Sequence, residues 1–295
     1  MPVYLIYALI AAFGYSACAL FSKRALEEGC SLWLMSTFIV EVAALAFIPL
    51  LFIGPAWPEL SRWYQPALSA LFLFGGIFFQ VLALNSGDVS IVLPVTGIKP
   101  VINALLLTLL LRTEVSSATW IACVLVAVAL FVMHSPNITT QSSFTKTVLL
   151  TFFSACLFAL CDTAFQHYAH LWGAARFTAL TSQLAGIACL IFMPRLRKRF
   201  FALTTVCRTH LLTSALFFLL PSFCMGYAIG RYGHAPEINV LYSSRALWSI
   251  VLVWGVGRFI GSREHKTSLT ILLRRLAGAI ILIAAAALVI YANSA

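Results

Sequence analysis

The sequence predicts an all-α membrane protein, ten transmembrane helices arranged as two inverted repeats of five. Three observations lead there. The 295-residue chain is 62% hydrophobic and only 9% charged, and its mean hydropathy of +0.98 is far from that of a soluble domain. Apolar runs of the roughly 20 residues that a bilayer crossing requires follow one another almost without pause. Two distant stretches also share one layout: GDVSIVLPVTGIKPVINALLLTLLLRTE from Gly87 and GHAPEINVLYSSRALWSIVLVWGVGRFIGSRE from Gly233. Each opens on Gly, closes on Arg-x-Glu or Arg-Glu, and carries a cation twelve residues in, Lys99 in one and Arg245 in the other.

Hydropathy places the spans at about 3–22, 32–53, 67–86, 89–111, 118–135, 147–169, 176–193, 209–230, 236–257 and 270–291. The first has no basic region ahead of it and is longer than a signal-peptide core, so it is expected to stay as a helix. Connections are short and rich in Pro, Gly, Ser and charge, such as Gly54–Pro58 and Ser135–Ser143. The latter divides the chain into a first repeat, 1–138, and a second, 139–295. AFGYSACALFSK from Ala12 and ACLFALCDTAFQ from Ala155 occupy the same place in their halves. Five is odd, so the second repeat enters the membrane from the opposite side, and in such folds the substrate site lies near the midplane between halves.

The basic excess, a formal +10, sits between apolar runs and forms no nucleic-acid patch. The eight cysteines are scattered, with no Cys-x-x-Cys or Cys/His cluster, so they are expected to be small core residues and no metal or other cofactor is expected. The six histidines fall near span ends and are expected at the interface. His167, beside Gln166 and near Asp162, is the exception to examine.

The ends of spans four and nine, LLRTEVSSATWIACVLVAVALFV and IGSREHKTSLTILLRRLAGAIILIAAAALVI, resemble the drug/metabolite transporter superfamily, in particular its ten-helix EamA-like members. The resemblance runs over essentially the whole chain. Lys99 in VSIVLPVTGIKPVINALL is similar to the span-four lysine of plastid phosphate translocators, and Arg245 falls where those carry a Lys-Arg pair. Here Ser244 precedes Arg245, so that set is incomplete. The resemblance implies a multi-pass protein of a bacterial inner (plasma) membrane with cytoplasmic termini. The chain's own charges argue the reverse orientation: thirteen of the nineteen basic residues, the Arg195–Arg199 cluster among them, lie opposite the termini, against Arg62, Arg112, Arg176 and Arg231 on the termini's side.

Four ionisable residues lie well inside spans: Glu41, Lys99, Asp162 and Arg245. Such residues are costly in hydrocarbon and by default mark a site or a proton path. Helical spacing sets Thr96, Lys99 and Asn103 on one face, and Asn239, Tyr242, Arg245 and Ser249 on another. These seven are the candidate substrate-binding residues. Ser154, Asp162 and Gln166 share a face of span six, and Thr37 lies one turn from Glu41. Glu41 and Asp162 are the candidate proton-coupling groups or charge partners. Ion pairs that only fix helix packing are the bland alternative. Pro94 and Pro100 fall inside span four, each removing a backbone donor, and are candidate gating positions.

These features predict a secondary transporter moving a small anionic or zwitterionic metabolite by alternating access, driven by protons or by exchange. A flippase for a lipid-linked, phosphate-bearing substrate is the alternative. No phosphate-cradling Gly loop points to ATP, and no catalytic constellation favours an intramembrane enzyme.

Overall fold

A computed structural model describes residues 2–86, 89–133, 144–255 and 269–293. Gly87, the 138/139 repeat boundary, the Arg263–Glu264 turn, His134, His265, Arg258 and Lys266 lie outside the described residues. Those described are helical, without strands. In order they form α1 (Val3–Glu27), α2 (Leu32–Ala46), α3 (Tyr64–Ser86), α4 (Val89–Thr96), α5 (Lys99–Leu110), α6 (Ser117–Met133) and α7 (Phe144–Trp172). There follow α8 (Ala174–Cys189), α9 (Met193–Ala202), α10 (Thr205–Tyr232), α11 (Ala235–Tyr242), α12 (Arg245–Gly255) and α13 (Leu269–Ala292). Among the described residues seven helical segments are long and apolar enough to cross a membrane, and Leu32–Ala46 and Ser117–Met133 are shorter apolar helices.

Three differences from the expected spans have local causes. Span two stops being α-helical at Ala46 and tightens into a 3₁₀ turn over Ile48–Phe52, where Pro49 leaves no donor for a continuing ladder. Spans four and nine are each broken in two. In span four, Gly97 and Ile98 turn back on the carbonyls of Pro94 and Val95, and Pro100 then sits in the first turn of α5, where a missing N–H costs nothing. In span nine no proline is involved. Ser243 Oγ donates to the Asn239 carbonyl at 2.8 Å, and the backbone of Ser243 and Ser244 tightens to i→i+3 bonds.

The packing pairs α1 with α10, α3 with α7, α6 with α13 and α2 with α8; α1 also lies against α11 and α12, as α7 lies against α4 and α5. Numbered by span, these are 1–8, 3–6, 5–10, 2–7, 1–9 and 6–4. Exchanging spans one to five for six to ten maps this set of pairs onto itself. Close approach is built with small residues. A Cβ on Gly14 would meet the ring of Pro221 at 3.0 Å, which lets α1 and α10 touch along their length. Without lipid-to-helix hydrophobic drive, such backbone proximity is what holds membrane helices together. The main core gathers Leu5, Leu107, Val126, Trp172, Phe177, Ile238 and Leu241 between the halves.

One basic position departs from the topology reading. Arg176 is buried, not at an aqueous surface. Its Nε donates to the Leu51 carbonyl at 2.9 Å and its Nη1 to that of Pro55 at 2.5 Å, with the guanidinium stacked over Trp57. It holds the segment after α2 against the start of α8. The Arg195–Arg199 cluster, between the seventh and eighth expected spans, forms a helix of its own, α9.

Candidate functional site

Lys99 and Arg245 are the first residues of α5 and α12, so both cations stand at the restart of a broken span. A helix start carries unsatisfied N–H groups and the positive end of the helix dipole. A cation placed there strengthens an already positive spot, and an anion is what such a spot attracts.

The Lys99 spot is occupied by the protein itself. Its Nζ lies 2.8 Å from Oδ2 of Asp162 on α7, and 5.8 Å above the ring of Phe158. Asn103, one turn along α5, donates from Nδ2 to the same Oδ2 at 3.0 Å, and Asn239 on α11 does so at 2.8 Å. Three donors from two spans thus converge on one carboxylate oxygen. The pair is largely enclosed, with side chains 19% and 14% exposed. The side-chain amide oxygens, Oδ1 of Asn103 and Oδ1 of Asn239, are buried and have no hydrogen-bond partner among the described residues.

Arg245 is arranged differently. Its guanidinium donates to the Tyr242 hydroxyl and lies 4.7 Å from that ring's centroid. Tyr242 meets Tyr15 of α1 edge to face at 5.4 Å. The Arg245 carbonyl accepts from Ser16 Oγ at 2.8 Å and from Ser249 Oγ at 2.9 Å, which pins the start of α12 to α1. Among the described residues no carboxylate pairs with Arg245. Among the described residues one of the two matched cations has a carboxylate partner and the other has none.

The remaining candidates divide. Asn103 and Asn239 belong to the Asp162 cluster and Tyr242 to Arg245. Thr96 Oγ1 donates to the Leu93 carbonyl at 2.7 Å, closing its own helix end. Pro94 lies inside α4 and its carbonyl takes the turn N–H of Gly97. Glu41 stands apart, because α2 packs on α8 and α10 and not on α5 or α12. Its Oε1 is buried without a partner, and its Oε2 faces Gly186 of α8. No cation pairs with it among the described residues. His167 is exposed against the Tyr168 ring, so it plays no part at Asp162. Ser154 is used in packing, donating to the Gly76 carbonyl at 2.8 Å, and Gln166 accepts the Ala235 N–H at the start of α11.

A buried acid escaped the sequence reading. Glu237, in the first turn of α11, accepts from Thr119 Oγ1 at 3.0 Å and faces Nδ1 of His234 at 4.0 Å. The available signal was its position three residues after His234 at a span start, an acid suited to a helix N-terminus.

Fold and site together define a polytopic helical membrane protein with half-buried charges at paired helix breaks. Residues 2–135 match the model of the EamA-like transporter family, and the described helical segments include seven long and apolar enough to cross a lipid bilayer. A crystal structure of a protein 12% identical to this chain superposes with a TM-score of 0.73 over 97% of this chain and 95% of its own, and it is similar in fold alone. No curated protein matches the sequence.

Proposed function

We propose that the protein is a secondary transporter that moves a small anionic or zwitterionic metabolite by alternating access, built as two inverted five-helix repeats. The exchange-symmetric packing of the spans and the matched breaks before Lys99 and Arg245 support the repeat. The observation that carries the function is Arg245, which has no carboxylate partner among the described residues. A half-buried guanidinium at a helix start, seated on Tyr242, is held in readiness for an anion. Leaving such a charge unmatched inside a span is costly, and a carboxylate or phosphate satisfies its planar fork.

In this reading Tyr242 and Ser249 position Arg245, while Lys99 is the second cation, released to substrate when Asp162 gives it up. Asn103 and Asn239 keep Asp162 hydrogen-bonded in both situations. Thr96 and Pro94 shape the break before Lys99, and Pro100 sets the start of α5. Glu41, with no cation to neutralise it among the described residues, is the group that takes up a driving proton.

Uptake of a labelled metabolite panel into proteoliposomes tests the assignment. Arg245→Ala is expected to weaken binding of the transported anion by roughly tenfold to a hundredfold, the strength of a charge-assisted hydrogen bond. Arg245→Lys should recover only part of it. Unchanged affinity in Arg245→Ala would remove Arg245 from the site.

A further inference from the structure

We propose that α9 is a docking site for the headgroups of acidic phospholipids. Its ten residues, MPRLRKRFFA, place four bases within five positions, Arg195, Arg197, Lys198 and Arg199, and all four are exposed. At 100° per residue they spread over an arc of about 200°, and Leu196 lies in the remaining sector. Leu196 is buried in an apolar cluster with Cys30, Leu34 and Leu211, flanked by Phe192 and Phe200, which ties α9 to the ends of α2 and α10. The helix is therefore fixed to the body of the protein by one stripe and presents the rest outward.

Two observations set its depth. The chain just before it, Ile187, Leu190 and Ile191, is 60%, 48% and 76% exposed, and Phe201 at its end is 62% exposed. Phe201 falls on the helix between the azimuths of Arg197 and Lys198. An exposed aromatic among bases is unfavourable in water and suited to the boundary between headgroups and acyl chains. Arg208 of α10 completes the arrangement. Its Nη2 donates to the Phe201 carbonyl at 2.5 Å, and its guanidinium lies over Phe200. A fifth cation thus caps the negative end of the α9 dipole and holds the helix parallel to the surface it covers.

The segment 190–208 carries five cations and no acid, and Glu28, which lines a cleft together with Arg199, offsets at most one of them. Charge complementarity thus points to an anionic partner, and the exposed apolar rim makes that partner a lipid and not a soluble polyanion. This inference needs only the membrane embedding and stands or falls apart from the transport reading.

The test uses full-length protein in neutral detergent micelles, with thermal melting followed on titration with phosphatidylglycerol, phosphatidylcholine or inorganic phosphate. Phosphatidylglycerol is expected to raise the melting temperature saturably, at low salt more than at high salt, while the other two leave it in place. Each base changed to Gln should weaken the phosphatidylglycerol response, by roughly fivefold per charge near a membrane surface. R195Q/R197Q/K198Q/R199Q should abolish it, and R195K/R197K/R199K should retain it. Because the four side chains are exposed, their removal leaves the core intact; the melting temperature in phosphatidylcholine monitors this. Equal stabilisation by phosphatidylcholine would overturn the proposal, as would a phosphatidylglycerol response that survives in the quadruple variant. Competition by inorganic phosphate at equal concentration would reassign the patch to a free anion.

Discussion

The Lys99–Asp162 contact supports a double-mutant cycle whose outcome can be worked out in advance. At 2.8 Å and an effective dielectric of about 20, the Coulomb attraction of the pair is about 6 kcal/mol. Enclosure of both groups limits screening by water, but it also imposes a desolvation cost, so the pair's net worth is much smaller than its attraction. Removing one partner leaves the other charge buried, at a typical cost of about 3–5 kcal/mol. The two single variants should differ. Lys99→Met leaves Asp162 with the amides of Asn103 and Asn239, so its loss should sit near 3 kcal/mol, the low end of that range. Asp162→Ala removes both acceptor oxygens and leaves Lys99 the ring of Phe158 at 5.8 Å, so the loss should approach 5 kcal/mol. The double variant strands no charge, and it should be at least about 3 kcal/mol more stable than the sum of the singles implies. Denaturation in mixed micelles, read by intrinsic tryptophan fluorescence, measures all four corners. Additive losses would show that the two side chains do not act as a pair and would refute the reasoning.

Three further outcomes are expected. Glu41→Gln should abolish acceleration of uptake by an imposed pH gradient while leaving substrate counterflow intact, measured in proteoliposomes; retained pH-driven uptake would exclude Glu41 as the proton site. Gly278→Ala should destabilise the protein by about 1–3 kcal/mol, because the added Cβ would come within 2.7 Å of the Ala129 carbonyl and 2.1 Å of Met133 Cγ, prising α13 from α6. A melting temperature equal to wild type would refute that packing. Arg176→Ala should lose about 3 kcal/mol through its bonds to the Leu51 and Pro55 carbonyls, and open the segment 51–55 to protease. Arg176→Lys should rescue little, since one ammonium cannot span both carbonyls.

How far the sequence reached depended on the range of each interaction. The spans and the equivalence of Lys99 and Arg245 were legible because hydropathy and register are local properties. The site's polar groups were partly legible for the same reason: Asn103 lies one turn from Lys99, and Tyr242 three residues before Arg245. Pairing was not, because Asn239 and Asn103 meet Asp162 only through tertiary packing. The break in span four was signposted by Gly97 and Pro100, whereas that in span nine rests on two serines, a pattern common in continuous helices. Helix α9 escaped because a hydropathy window sees four bases and reports no span, and Arg176 because its partners are carbonyls over a hundred residues away.

The crowding at Asp162 makes its two chemically identical oxygens inequivalent. A carboxylate oxygen offers about two lone-pair sites, and Oδ2 already receives three donors. It is saturated, so a proton, a water or a ligand N–H can add only at Oδ1, on which no donor is placed among the described residues. A half-turn of the carboxyl group would interchange the oxygens, but only if Lys99, Asn103 and Asn239 let go together. The direction from which Asp162 can be approached is thereby fixed by two helices, α5 and α11, that come from opposite halves of the chain.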